Sequence, residues 1–235
     1  MKLPGFLLLL AVSATCCARA DLTIVQKVEG GSQTSDVTIK IKGEKERIDS
    51  ANQPTRIIDG KTGEMTNLIN DKKAFLKISA DQMKAMAATI AKYNSGSKSA
   101  EKPKLSPTGK KETVGGYETE QYVYETPQFK ATFWVAAKYP NAASILKQMQ
   151  LPISQAWKPS NMGMPDYTEF PGLPIKTVVS MGGAEVTTTI SSLKEDPVSD
   201  TEFAVPKDYQ EVQPSGPAPS GSGQKMPGAQ SSPSP

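Results

Sequence analysis

Short stretches in which apolar and polar residues alternate recur along most of this chain, and they constrain its fold more than any other feature. The clearest is VTIKIK at residues 37–42, where Val37, Ile39 and Ile41 alternate with polar residues. Because successive side chains of a strand point to opposite faces of a sheet, this pattern predicts a strand with one buried face.

About eleven such stretches are present, and glycine pairs or Asp-Gly and Asn-Asp pairs separate many of them. Glycine pairs stand at residues 30–31, 115–116 and 182–183. Gaps this short suit hairpins rather than crossover helices, so the sequence predicts an antiparallel sheet.

Two segments have a helical period instead. Ser79 and Gln82 form a predicted capping box for the first helix, and four apolar residues then share one helical face. The second helix carries a shorter apolar stripe. These stripes consist of Met83, Met86, Ala87 and Ile90, and of Ile145, Leu146 and Met149. Two helices among some eleven strands predict an α+β domain.

Residues 1–20 have the pattern of a secretory signal peptide. Lys2 precedes an apolar run that is too short to span a membrane, and Ala18 and Ala20 form an Ala-x-Ala site before Asp21. No other stretch predicts a transmembrane segment, so we expect a protein that is exported to the bacterial periplasm or secreted.

The only two cysteines, Cys16 and Cys17, lie inside this segment. A bacterial lipoprotein signal is the alternative, but Ser13 and Thr15 before Cys16 fit its cysteine motif poorly. Cleavage after Ala20 leaves a chain with neither cysteine nor histidine. Disulfides, thiol nucleophiles, Cys/His zinc sites and histidine acid–base chemistry are then excluded.

The charge of the cleaved chain is close to balanced. Removing Lys2 and Arg19 leaves 25 basic and 24 acidic residues. Because no basic cluster stands out from this balance, we expect no nucleic-acid partner.

The C-terminal residues 213–235 differ from the rest, since sixteen of the 23 are Pro, Gly or Ser. Such a composition cannot bury enough apolar surface to offset the entropy of ordering, which predicts a disordered tail. Residues 21–212 then form one domain.

Fragments of catalytic motifs occur without their context. Ser144 and Lys147 fit the S-x-x-K motif of penicillin-binding enzymes, but this spacing recurs elsewhere in the chain. Lys61 is followed by Thr and Gly, which fits their K-T-G motif but precedes the candidate serine, the reverse of the order in those enzymes. We predict no enzyme activity, no cofactor and no metal site.

Residues 151–172 form a long stretch without a period, and it is rich in methionine and aromatic residues. Trp157, Met162 and Met164 give it an adaptable apolar surface. Two alternatives remain open at this point: the stretch packs over the end of the sheet, or it borders a ligand site.

The order of several short motifs resembles that of an uncharacterised family of secreted bacterial proteins, similar in fold to the lipoprotein carriers LolA and LolB and to the mycobacterial lipoprotein LppX. The resemblance spans residues 21–212. The motifs are Arg-Ile-Asp at 47–49, Arg-Ile-Ile-Asp at 56–59, Gly-Gly-Tyr at 115–117, Gln-Tyr-Val at 121–123, Phe-Trp-Val at 133–135, Gly-Leu-Pro-Ile-Lys at 172–176 and the segment 203–209.

This resemblance implies an incomplete antiparallel β-barrel whose concave face is covered by helices. In the carriers the cavity takes acyl chains, so we expect an apolar ligand or a lipoprotein as a possible partner. Arg47 and Arg56 are candidates for a polar contact with such cargo only as strand arginines. The hypothetical ligand-binding residues are Met83, Met86, Ile90, Ile145, Leu146, Met149, Trp157, Met162 and Met164.

Two functions are compatible with these expectations. The first is a non-enzymatic periplasmic protein that binds a lipid, an acylated protein or another apolar ligand in the barrel cavity. The second is a packed structural or protein-interaction module of the cell envelope, with no small-molecule ligand. A continuous apolar cavity under the helices would favour the first.

We predict that the exported protein begins at Asp21 and carries no lipid. The Ala18 and Ala20 pair motivates this prediction. N-terminal sequencing of material from the periplasm measures it, and an acylated Cys16 or Cys17 would contradict it.

Overall fold

The computed structural model describes residues 21–31, 33–51, 53–94, 103–126, 129–153 and 165–213. Twelve strands and two helices make up its regular structure. The strands are β1 (Leu22–Gly30), β2 (Gln33–Lys42), β3 (Lys45–Ser50), β4 (Thr55–Asp59), β5 (Glu64–Ile69), β6 (Ala74–Ile78), β7 (Ser106–Val114), β8 (Tyr117–Glu125), β9 (Phe129–Ala136), β10 (Leu173–Met181), β11 (Ala184–Lys194) and β12 (Gln210–Glu211). The helices are α1 (Ala80–Asn94) and α2 (Ala142–Gln150).

All twelve strands belong to one open sheet, in the order β12-β6-β5-β4-β3-β2-β1-β11-β10-β9-β8-β7. Every pair is antiparallel except β12 with β6, which is parallel. The sheet therefore consists of two meanders, β1–β6 and β7–β11, which the pairing of β1 with β11 joins.

Glycine pairs shape two of the tight hairpins. Gly115 and Gly116 connect β7 to β8, and Gly182 and Gly183 connect β10 to β11, with φ between +57° and +84° at all four. Two successive residues with positive φ give the turn a twist that matches its flanking strands, and glycine adopts this conformation without strain.

Both helices lie on the same face of the sheet. Ala142, Ile145, Leu146 and Met149 of α2 belong to one buried cluster with residues of five strands. The strand members are Leu22, Ile24, Ile41, Tyr124, Ala131, Phe133, Val135 and Leu173. Opposed residues of antiparallel strands share a face, and Ile41 opposes Glu46, which borders the same cavity as α1. The face under α2 therefore continues to α1.

The C-terminal segment covers the opposite face of β4 and β5. Val198 and Phe203 form a second buried cluster with Ile57 and Leu68. A 3-10 turn, Asp200–Phe203, begins with a hydrogen bond from the Thr201 amide to the Ser199 side chain.

Arg47 anchors this segment to the sheet. Its guanidinium pairs with both carboxylate oxygens of Asp49, at 2.7 and 2.9 Å, and donates to the Glu202 carbonyl at 2.8 Å. Thr55 donates to the same carboxylate at 2.8 Å. Burial raises the pKa of Asp49, but the hydrogen bonds from Arg47 and Thr55 outweigh it and hold this pKa below its ordinary value.

The structure confirms the predicted α+β class. The resemblance implied an incomplete antiparallel β-barrel with helices over its concave face, and the structure has a large, open, mostly antiparallel sheet of twelve strands with two helices on one face. The eleven predicted strands and both predicted helices are present. The capping box is confirmed too, since the Ser79 amide donates to Gln82 Oε1 at 2.8 Å and the Gln82 amide donates to Ser79 Oγ at 3.3 Å. The short parallel strand β12 was not predicted, because two exposed residues carry no alternation.

The signal peptide and the C-terminal tail, predicted at residues 1–20 and 213–235, lie outside the described residues except Gln213. Both stay predictions, as does the single domain of residues 21–212. Asp21, the predicted first residue of the exported chain, accepts a hydrogen bond from the Val198 amide at 2.9 Å.

We expect Gly172→Ala to destabilise the fold by about 1–3 kcal/mol. A Cβ at this position would lie 2.5 Å from the Ala136 carbonyl oxygen and 2.5 Å from Ala137 Cα, at the point where β10 begins beside the end of β9. Backbone atoms cannot move aside as a side chain can. Urea unfolding measures the effect.

Gly30→Ala is the matched control for this change. Its new Cβ would meet the Val186 side chain at 3.3 Å, and that side chain can shift by a few tenths of an ångström. We expect a smaller loss of stability there. Equal losses in the two variants would contradict the proposed contact at Gly172.

Candidate functional site

A cavity of about 320 Å³ lies between α1 and the sheet. Strands β3, β4 and β5 form its floor. Glu46 opposes Ile58, and Ile58 opposes Met65, so these three side chains share one face, with Arg56 two residues before Ile58. All four border the cavity.

Helix α1 forms one wall through two methionines. Met83 and Met86 are three residues apart and therefore lie on one side of the helix. Met83 is 3% exposed, whereas Met86 is 39% exposed. The first methionine thus packs against the sheet, and the second lies at the cavity opening.

The chain that leaves α2 forms the other wall, through Pro152 and Ile153. It passes directly over Gly60, where an added Cβ would lie 2.8 Å from the carbonyl oxygens of both Leu151 and Pro152. Only glycine leaves space for this close passage of two backbones. The turn between β4 and β5 thereby positions the second wall.

The structure distributes the predicted ligand-binding residues over three places. Met83 and Met86 border the cavity. Ile145, Leu146 and Met149 are almost completely buried in the cluster under α2, where they fill space rather than border it. The side chain of Ile90 and the residues Trp157, Met162 and Met164 lie outside the described part of the structure. The assignment of these residues to a ligand stays a prediction.

Sequence reasoning did not select Glu46, Ile58 or Met65, which border the cavity. Their strands alternate, so two possible faces were visible in the sequence. Which face meets α1 depends on the pairing of distant strands, and the sequence pattern does not contain that information.

Glu46 has an unusual environment for a carboxyl group. Burial raises its pKa from 4.5 to about 7, and the positive charge of Arg56 counteracts part of that rise. Among the described residues, no side chain forms an ion pair or a hydrogen bond with this carboxyl group. Glu46 keeps its proton to a higher pH than an exposed carboxyl group does, because its charged form is poorly solvated at this position.

Tyr167, in the segment that precedes β10, also lies near Glu46. It belongs to the 3-10 turn Tyr167–Glu169 and packs against the cluster under α2. Burial, and secondarily the charge of Glu46, raise the pKa of Tyr167 to about 12. Tyr167 therefore stays protonated, as a neutral neighbour of Glu46, at any physiological pH.

Arg56 is the second charged group at the cavity, and it is exposed. Within the described ranges it forms no ion pair or hydrogen bond, in contrast to Arg47 on the opposite face. A guanidinium group has five donors and stays charged at all relevant pH values. Arg56 is thus available to an external acceptor.

The cavity is mostly apolar, because seven of its nine bordering residues are apolar or glycine. In the part of the chain that the structure describes, no three Asp or Glu side chains gather in a group that could hold a metal ion. The arrangement is suited to enclosing an apolar group beside one carboxyl and one guanidinium group.

A family model described as Domain of unknown function (DUF4412) matches residues 21–209. The chain belongs to this family. The expected membership of an uncharacterised family is thereby confirmed, and the match covers nearly all of residues 21–212, which the sequence predicts to form one domain. No curated protein matches the chain in sequence.

Several solved structures are similar to the DUF4412 domain. PNGF-II shares 15% identity at a TM-score of 0.39, over 82% of this chain and 31% of its own. LppX of Mycobacterium tuberculosis shares 11% identity at a TM-score of 0.40, over 77% of this chain and 88% of its own. The MucA/MucB complex of Pseudomonas aeruginosa shares 11% identity at a TM-score of 0.40, over 80% of this chain and 56% of the matched chain.

The DUF4412 chain thus spans about a third of the length of PNGF-II. At these identities and TM-scores the similarities do not indicate a ligand or an activity.

In the described residues, no helix is both long enough and apolar enough to cross a membrane.

We expect the stability of Glu46→Gln, relative to the parent, to rise with pH. The folded state keeps a proton on Glu46 up to about pH 7, whereas the unfolded chain releases it near 4.5. Above pH 7 the folded parent must therefore bury a charge, and below 4.5 it does not. The gain should be less than about 0.5 kcal/mol at pH 4.5 and about 3 kcal/mol at pH 8.5, since each pKa unit corresponds to about 1.4 kcal/mol.

Urea unfolding at pH 4.5 and pH 8.5 measures this difference. Glu112→Gln is the control, because Glu112 is exposed on β7 and its variant should show no such change. An equal effect of Glu46→Gln at both pH values would show that the carboxyl group is not desolvated.

Proposed function

We propose that this DUF4412 domain is a non-enzymatic protein of the bacterial envelope that binds an apolar molecule in the cavity under α1. The observation that carries the proposal is the cavity itself, whose volume of about 320 Å³ lies at the lower end of the range for small-molecule sites. Export to the periplasm, or secretion, rests on the predicted signal peptide of residues 1–20.

The composition of the walls supports a ligand rather than solvent. A polar cavity of this size would hold ordered water, but water needs two to four polar partners. Here the methionine wall of α1, the wall formed by Pro152 and Ile153, and the isoleucine–methionine floor offer few. Met65, Met83 and Met86 are also flexible and polarisable, so they adapt to occupants of different shape.

A second candidate is a packed envelope module without a small-molecule ligand. The tightly filled half of the sheet under α2 favours it, since Ile145 is fully buried and Leu146 and Met149 nearly so. In that case the cavity under α1 is a local packing gap. Native mass spectrometry of the exported protein distinguishes the two, because only the first predicts a co-purified apolar molecule.

We expect Met86→Glu to weaken the binding of the uncharged fluorescent probe N-phenyl-1-naphthylamine at least about tenfold. A carboxylate at the opening places a charge beside apolar walls and makes occupation by an apolar molecule unfavourable. Met181→Glu is the matched control, since Met181 is 62% exposed at the end of β10 and does not border the cavity.

Measurements of the free energy of unfolding distinguish a side chain that lies at the cavity opening from one that packs in the core. Met86→Ala should cost less than about 1 kcal/mol because this side chain is partly exposed, whereas Met83→Ala should cost about 2–4 kcal/mol. The packed-module alternative is favoured if the parent binds no probe and Met86→Ala loses as much stability as Met83→Ala.

A further inference from the structure

Among the described residues, Glu46 and Arg56 are the two ionisable side chains that border an otherwise apolar cavity. Glu46 lies opposite Ile58, and Arg56 lies opposite Ile48, so the two charged residues occupy diagonal positions on β3 and β4. Diagonal neighbours on one face of a sheet are within reach of long side chains. Nevertheless, the ion pairs among the described residues do not include this pair.

Arg56 therefore presents an unneutralised positive charge to the cavity, while it is exposed enough to be hydrated when the cavity is empty. A planar guanidinium group is suited to binding anionic oxygens with two parallel hydrogen bonds. The apolar walls suit the other end of the same molecule.

We infer that the occupant of the cavity has an apolar body and one anionic group, that Arg56 binds this group, and that ionised Glu46 competes with it for Arg56. The inference rests on the proposed function and names the chemical class of its ligand. It also gives Glu46 a role, since a carboxyl group in this position decides how much of the Arg56 charge is left for a ligand.

Within the part of the chain that the structure describes, few charged or titratable groups surround Glu46. Arg56 faces it from β4, and Tyr167 interacts with it from the 3-10 turn. Helix α1 contributes Met83 and Met86 to the cavity, and the chain after α2 contributes Pro152 and Ile153. Only Glu46 among these residues changes charge between pH 6 and 8.5, because the pKa of Tyr167 is about 12.

The charge state of Glu46 predicts how the binding of an anionic ligand changes with pH. Below about pH 7 Glu46 is neutral, and the cavity carries the uncompensated charge of Arg56. Above that pH ionised Glu46 neutralises Arg56, and an anionic ligand loses its advantage. Anionic ligands should therefore bind more tightly at pH 6 than at pH 8.5, and neutral ligands should bind equally at both.

Displacement of N-phenyl-1-naphthylamine by decyl sulfate and by decanol tests this inference, because the two compounds have equal chains and differ in charge. At pH 6 decyl sulfate should bind about fivefold more tightly than decanol. At pH 8.5 the preference should shrink to about twofold or less. Decyl sulfate is an anion and decanol is neutral at both pH values.

Three variants assign the effect to residues. Arg56→Gln should abolish the preference for decyl sulfate over decanol. Glu46→Gln should keep the preference at pH 8.5 as it is at pH 6. Lys77→Gln is the control: it removes one positive charge from the opposite face of the same sheet and should change nothing, since Lys77 opposes Thr66, which itself opposes Ile57 of the second cluster.

Two results would overturn the inference while the proposed function stands. One is equal binding of decyl sulfate and decanol at pH 6, and the other is a preference that persists in Arg56→Gln. If the parent binds neither compound nor the probe, the proposed function fails, and the inference fails with it.

Discussion

The antiparallel pairing of β1 with β11 holds the structure together. Almost all other strand neighbours are also neighbours in sequence, whereas this pairing aligns distant residues, such as Ile24 with Leu193, which are 169 positions apart. Without it the two meanders would be separate sheets with exposed edges. Leu22 and Ile24 are fully buried at this seam. The cluster under α2, and the position of the cavity beside it, both depend on this long-range contact.

The two halves of the helix-bearing face differ because their helices differ. Helix α2 directs three large apolar side chains onto the sheet and fills the space beneath it. Helix α1 has a narrow stripe and several alanines, and of its residues 80–89 only Met83 is buried. A helix with so little apolar volume cannot fill the gap above β3–β5. A cavity therefore remains under α1, whereas the larger side chains of α2 fill the other half of the face.

Arg47 and Arg56 show how register assigns roles to similar sequences. One stands in Arg-Ile-Asp and the other in Arg-Ile-Ile-Asp, yet they lie on opposite faces, because Arg47 opposes Ile57 rather than Arg56. Arg47 forms a bidentate pair that anchors the C-terminal segment, and Arg56 borders the cavity without a partner among the described residues. A shift of one residue in this pairing would place Arg47 opposite Arg56, and both arginines would then lie on the same face.

The local elements of this protein follow from its sequence alone. Alternation, glycine-pair turns and the capping box of Ser79 and Gln82 predict eleven strands and both helices, because each depends on residues close in the chain. Their helical spacing also predicts that Met83 and Met86 share one face of α1, and both border the cavity. The join between β1 and β11, strand β12, and the meeting of Glu46 and Arg56 in one cavity were decided only by tertiary structure, because a local pattern shows that a strand has two faces but not which distant strand it pairs with or what covers each face.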